Sequence, residues 1–97
     1  MKLNSYTIFD SCSGAYSRPF FTNSDGDAMR QFGDIAKDLE HPIGKHPEHY
    51  ALYRNGTFDD ATGKYNPEDV SHMANAHELV AGLEKDIVAE TSPGLTA

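Results

Sequence analysis

The chain has 97 residues, enough for one small hydrophobic core and too few for a second independent domain. Eight Lys and Arg stand against 15 Asp and Glu, a formal net charge of -7, so phosphate backbones and anionic membranes repel the chain as a whole and any nucleic-acid contact must be local. The single Cys12 excludes an internal disulfide, and no apolar stretch matches a signal peptide or the roughly 20 residues of a bilayer span; a soluble, non-membrane protein of a reducing cytoplasm is expected.

Tyr6-Thr7-Ile8-Phe9 and Ala15 to Phe21 carry the aromatic and β-branched bias of strands, and Asp10-Ser11-Cys12-Ser13-Gly14 between them is turn chemistry, which predicts a hairpin. Pro19 cannot donate to a ladder, so the second strand is expected at a sheet edge or with a bulge there. Ala28, Met29, Phe32, Ile35, Ala36 and Leu39 recur at spacings of three and four, predicting an amphipathic helix over 24–39. Ser24 followed by Asp27 supplies its N-cap signal, and Asp25 and Asp27 suit the positive helix start.

His41-Pro42, Gly44 and Pro47 mark a loop. Tyr50 to Arg54 reads as a third strand, continued by Phe58-Asp59, with Lys64-Tyr65 as a short fourth. Two registers fit this second hairpin: Asn55-Gly56 is a kink with the turn at Asp60 to Gly63, or Asn55-Gly56 is itself the turn. Asn66-Pro67-Glu68-Asp69 has the form of a helix start, and Val70, Met73, Ala76, Val80, Leu83 and Ile87 continue at helical spacing, predicting a second helix over 67–87. Its apolar stripe is narrow, near a 3.5-residue repeat, and fits packing on the sheet or against a copy of itself. The architecture expected is α+β, in the order ββαββα: two hairpins forming one antiparallel sheet, a crossing helix and a C-terminal helix, as one domain over residues 1–89 with a tail at 90–97.

Catalytic signatures are absent: there is no phosphate loop, dinucleotide fingerprint or hydrolase elbow. Cys12 lies in a polar turn with no basic residue near it in sequence, so it reads as a turn residue and not a nucleophile. His46-x-x-His49, with His41 nearby, has the spacing of a ligand pair that a third ligand from the loop or the sheet, Asp59 or Asp60 for a metal-dependent enzyme, would complete; but the prolines and glycine of the stretch read as a structured loop, no Cys pair or H-E-x-x-H accompanies it and Asp59-Asp60 reads as turn formation, so no metal and no cofactor is expected. His72 and His77, both on the second predicted helix, are five apart and fall on different faces. Single-stranded nucleic acid needs only aromatic faces beside a few cations. Tyr6, Tyr16, Phe20, Tyr50 and Tyr53, with Lys2, Arg18, Arg30, Arg54 and Lys64, could supply both.

Three stretches then combine: Ile8-Phe9-Asp10 with Pro19-Phe20-Phe21; Asp27-Ala28-x-Arg30-x-Phe32-x-Asp34; and His46-Pro47-Glu48-His49-Tyr50-x-Leu52-Tyr53-x-x-Gly56-x-Phe58-Asp59-Asp60-x-Thr62-Gly63. Together they resemble the small nonstructural protein of gokushovirus-type microviruses, tailless bacteriophages with single-stranded DNA genomes, over roughly residues 5 to 80. The resemblance implies a non-enzymatic accessory of genome replication in the host bacterial cytoplasm, acting at the switch to single-strand synthesis or binding DNA. It carries over no catalytic residue. The expected single-strand DNA surface is Tyr16, Arg18, Tyr53 and Arg54. The alternative is an oligomeric module that docks on phage or host replication or assembly proteins, self-associating through Val70, Met73, Val80, Leu83 and Ile87.

Overall fold

Alternating polar and apolar side chains build one antiparallel sheet, in the order β2-β1-β4-β5, from β1 (Lys2–Asp10), β2 (Ala15–Tyr16), β4 (Tyr50–Asp59) and β5 (Lys64–Asn75). A further short strand, β3 (Phe20–Thr22), pairs with the first half of β1 on the same side as β2. The computed structural model describes residues 1–82; the stretch 90–97 read as a tail, and Leu83 and Ile87, lie outside it. β2 and β3 together form one edge of the sheet, broken over Ser17-Arg18-Pro19, so Pro19 sits where a residue without an N–H is tolerated.

Both hairpins close with the same device. Asp10 and Asp59 each accept through a carboxylate oxygen from the backbone N–H two residues on, Cys12 and Ala61, at 2.9 Å. Each main-chain carbonyl accepts from the glycine four residues on, Gly14 and Gly63, at 2.8 Å. Asx-type turns of this kind favour Asp at the start and glycine in the left-handed region at the end. The second hairpin thus turns at 60–63. Asn55 is a bulge inside β4, because Ser5 pairs with Gly56 while Tyr6 pairs with Arg54. Gly56 is required beside it: a Cβ there would stand 2.5 Å from the Asn66 carbonyl oxygen and 2.8 Å from the Tyr65 hydroxyl.

The predicted first helix is α1 (Asp25–Lys37). Ser24 caps it, its hydroxyl accepting from the Asp27 N–H at 3.2 Å, and the chain leaves the helix at Asp38, whose N–H bonds the Ile35 carbonyl. Leu39, expected on the helix, lies past that end and is largely exposed. Ala28, Phe32 and Ala36 bury against Tyr6 and Leu52 of the sheet, joined by Ile43 of the short α2 (Pro42–Lys45) and by Ala76. Met29, Ile35, Leu79 and Val80 pack around this cluster. Asp25 fastens the start of α1 to the sheet, accepting from the Tyr6 hydroxyl at 2.5 Å and the Asn4 amide at 3.3 Å. Burial and this carboxylate push the Tyr6 phenol above its ordinary pKa.

The C-terminal helix begins later than its sequence signal. Residues 64–75, including Asn66-Pro67-Glu68-Asp69, form β5, and helix α3 starts at Ala76. The outer edge of β4 needs partners for its N–H and C=O groups, and β5 supplies them from Lys64 opposite Asp59 to Asn75 opposite Ala51. Pro67 is tolerated because β5 is the other edge, and the residue before a proline favours extended backbone. Asn75 and Glu78, at the start of α3 and joined side chain to side chain at 3.1 Å, have the spacing of a capping box.

Candidate nucleic-acid interface

Side chains alternate across β1, and the two sets meet different surroundings. Tyr6 and Ile8 pack with the helices. Phe9, on the opposite face, contacts Tyr16 of β2 at 4.8 Å between ring centroids and Tyr53 of β4 at 6.4 Å. Tyr16 and Tyr53 are 5.6 Å apart, and Tyr53 stands edge-on to His72 of β5 at 5.4 Å. One ring from each of β2, β1, β4 and β5 thus forms a strip running across the strands. Toward the other end of the same face, Phe21 and Phe58 meet at 5.4 Å. Between them the Tyr65 hydroxyl donates to Ser5 Oγ at 3.3 Å and to the Asn55 carbonyl at 3.2 Å, and Ser5 donates to Asn55 Oδ1 at 2.7 Å.

These rings are not core. Tyr16 is 48% exposed, Phe21 43% and Tyr65 41%, values that leave ring faces open to a stacking partner. Among the described residues, the buried apolar side chains of the helices belong to the Tyr6–Leu52 cluster on the far side. Of the acidic side chains, Asp25 and Glu68 hold partners on the helix side, whereas Glu78 is joined to His72 of the strip through Asn75. Asp25 binds Tyr6, Glu68 is 3.8 Å from Arg54 Nε, and Asp10 lines a groove of about 400 Å³ with Ile8, Tyr50, His41 and Ile43. In that groove burial, with Asp10 and Cys12 nearby, raises the Tyr50 phenol pKa. Tyr16 borders both the groove and the strip.

Of the four residues expected to contact DNA, the structure brings Tyr16 and Tyr53 together and places Arg18 exposed in the segment just after Tyr16. Arg54 does not join them. It pairs with Tyr6 across β1 and β4, and its guanidinium lies 3.8 Å from Asp25, on the helix side. Period-two alternation decides this, since adjacent strand residues Tyr53 and Arg54 cannot share a face. Tyr6 is buried, and Phe20 and Tyr50 pack against the core, so these three leave the list of stacking candidates. Phe9 and His72 enter it; period-two alternation puts Phe9 on the face opposite Tyr6 and Ile8, whereas His72 becomes the cross-strand partner of Tyr53 only because residues 64–75 form a strand.

The self-association stripe is likewise divided. Val70 and Met73 lie on β5, where Val70 is exposed and Met73 packs against the core, while Val80 is on α3 and also packs inward. Val70, Met73 and Val80 therefore share no single helical face; Leu83 and Ile87 lie outside the described residues. His72 is on β5 and His77 on α3, not on one helix. His41 is a cap, its Nδ1 accepting from the Ile43 N–H at 3.1 Å. Asp59 and Asp60 sit at the opposite end of β4 from His46 and His49 and bind the N-terminal ammonium, at 3.7 and 2.8 Å. A joint metal centre of these four residues does not form.

The model of the family described as Phage ORF5 protein matches residues 3–79. The chain belongs to this family. The matched ORF5 region takes in nearly all of β1, both hairpins, the whole aromatic strip and the first turn of α3. No curated protein and no solved structure matches the chain. No helix of the described residues is long and apolar enough to cross a membrane.

Proposed function

We propose that this phage protein is a nonstructural accessory of genome replication in a gokushovirus-type microvirus, and that it binds single-stranded DNA in the host cytoplasm through the strip Tyr16, Phe9, Tyr53 and His72. The observation that carries the reading is this row of partly exposed rings, drawn from β2, β1, β4 and β5, on the sheet face away from the buried cluster. Base–aromatic stacking needs open ring faces and is tolerant of sequence. Arg18, exposed and with no carboxylate within ion-pair distance among the described residues, is the adjoining cation for a phosphate. Nothing in this reading requires a catalytic group or a cofactor. Fluorescence anisotropy of labelled single-stranded and duplex DNA, at two salt concentrations, tests it; saturable binding that prefers the single strand is the expected result.

A second reading, docking on a replication or assembly protein, has its own support in β5. Among the described residues this strand pairs only with β4, and its free edge carries the exposed Val70. An open edge can take an added strand from another chain. Absence of DNA binding at low salt, together with capture of a phage or host replication protein, would favour it.

A further inference from the structure

His46, Glu48 and His49 share one turn, Pro47–His49, that leads into β4. Its backbone is held at both ends. The His46 N–H bonds the Pro42 carbonyl at 3.1 Å, the His49 N–H bonds the His46 carbonyl at 3.0 Å, and the His49 carbonyl accepts from Ser11 N at 2.8 Å and Ser11 Oγ at 3.1 Å. Pro47 fixes φ at the first position of the turn. On this rigid base His46 and Glu48 are exposed and His49 is half-buried, so the rings and the carboxylate can adjust.

Glu48 Oε1 lies 3.9 Å from His46 Nδ1 and 3.6 Å from His49 Nε2, and the three donor atoms are all within 4.8 Å of one another. Bonds of roughly 2.0–2.1 Å in tetrahedral geometry set ligand atoms about 3.4 Å apart. Small side-chain rotations therefore close the set around one ion, with no backbone movement. Two neutral imidazoles and one carboxylate are also the donor types that borderline divalent ions prefer over Mg²⁺ or Ca²⁺, which take oxygen. We propose that His46, Glu48 and His49 bind one first-row divalent transition-metal ion, Zn²⁺ in particular, with the remaining coordination left to water. The ion would tie the turn to itself immediately before β4 and place a positive charge near the Phe9 end of the sheet, where β4 begins opposite Asp10. The site does not depend on the DNA reading, because none of its ligands belongs to the strip.

The test is calorimetric titration of the whole protein with Zn²⁺, and titration with Co²⁺ followed by visible absorption. One ion per chain, reversed by a chelator, is expected; His46→Ala and His49→Ala should each remove saturable binding, Glu48→Gln should weaken it several-fold, and His77→Ala should leave it unchanged. Circular dichroism checks that each variant is folded. Zn²⁺-induced shifts of the His46 and His49 ring resonances in the wild-type protein decide the matter without any variant. Absence of saturable binding, binding that persists in the double His46→Ala/His49→Ala variant, or shifts confined to other histidines would overturn the assignment.

Discussion

Replacing Tyr16 by alanine separates DNA binding from fold stability. Tyr16 stands on a two-residue edge strand, is 48% exposed, and its ring touches Phe9 and Tyr53, neither of them a member of the buried cluster. Truncation should therefore change stability by no more than about 0.5 kcal/mol, the range of ordinary surface substitutions. Loss of one base–aromatic stack costs about 1–3 kcal/mol, which lowers single-strand affinity between roughly fivefold and roughly 150-fold. Tyr53→Ala should fall in the same range. The double variant should lose less than the sum, because the rings touch at 5.6 Å and support one another. Arg54→Gln is the contrasting variant: its side chain sits with Asp25 and Glu68 on the helix side, so it should destabilise the fold and leave affinity nearly unchanged. Anisotropy titration with a labelled single strand reads all four. Stacking with one or two phosphate contacts also predicts a salt slope no steeper than about -1.4, from about -0.7 per phosphate. Wild-type affinity in both tyrosine variants, or an equal loss in Arg54→Gln, would refute the assignment of the face.

Three further outcomes follow from the fold. Gly56→Ala forces a Cβ to 2.5 Å from the Asn66 carbonyl and should cost about 1–3 kcal/mol in denaturant unfolding by disturbing the β4–β5 pairing; an unchanged midpoint would show that the bulge can relax. Tyr6→Phe removes the hydroxyl bond to the Asp25 carboxylate and should cost about 1.5–3 kcal/mol. Because the Tyr6 pKa is raised on folding, its contribution is complete below the ordinary tyrosine value near 10 and fades as pH rises through the folded value, so the variant should show a shallower alkaline loss of stability than wild type. The Met1 ammonium is raised, chiefly by its hydrogen bond to Asp60, and the Asp59 carboxyl is lowered, chiefly by the Ala61 N–H. The ammonium contribution is whole below about pH 8 and lost above it; the carboxylate contribution is whole above about pH 4 and lost as pH falls through the folded value. Protection factors for amide exchange at residues 57–59, with the intrinsic pH dependence of exchange divided out, should accordingly be greatest between those limits, and a flat profile would count against both contacts.

Local chemistry made some elements legible and left others hidden. The first helix followed from the spacing of Ala28, Phe32 and Ala36 and from Ser24, because capping and an apolar stripe act within a few turns. The first hairpin end followed from Asp10 with Gly14 for the same reason; the second, Asp59 with Gly63, competed with Asn55-Gly56 as a local turn signal, and only the pairing of β4 with β5 decides between them. Residues 66–75 did not, since Asn66-Pro67-Glu68-Asp69 carries a local helix signal that the unpaired edge of β4 overrides. The later start of α3 coincides with Asn75-x-x-Glu78, whose spacing is that of a capping box. At the candidate site, Tyr16 and Tyr53 were readable as strand aromatics, whereas Arg54, next to Tyr53 in a strand, falls on the opposite face. The convergence of Glu48 with His46 and His49 needed the geometry of the turn.

The net charge of -7 bears differently on the two faces of the sheet. Asp25, Asp27 and Asp34 lie on α1, beyond the sheet from the aromatic strip. A strand of DNA on the strip would be separated from them by the thickness of the sheet and part of a helix, on the order of 10 Å. That is comparable to the Debye length of about 8 Å at physiological ionic strength. Raising salt therefore weakens the short-range attraction of Arg18 and the longer-range repulsion from α1 together. The two changes oppose each other, and the measured slope should fall between zero and the limit set by the phosphate contacts alone. A stacked duplex gains nothing to offset the repulsion, because its bases present no open faces to Tyr16 or Tyr53. Because stacking carries little salt dependence, preference for the single strand should persist at both salt concentrations, whereas a basic groove without stacking would gain duplex affinity more steeply as salt is lowered.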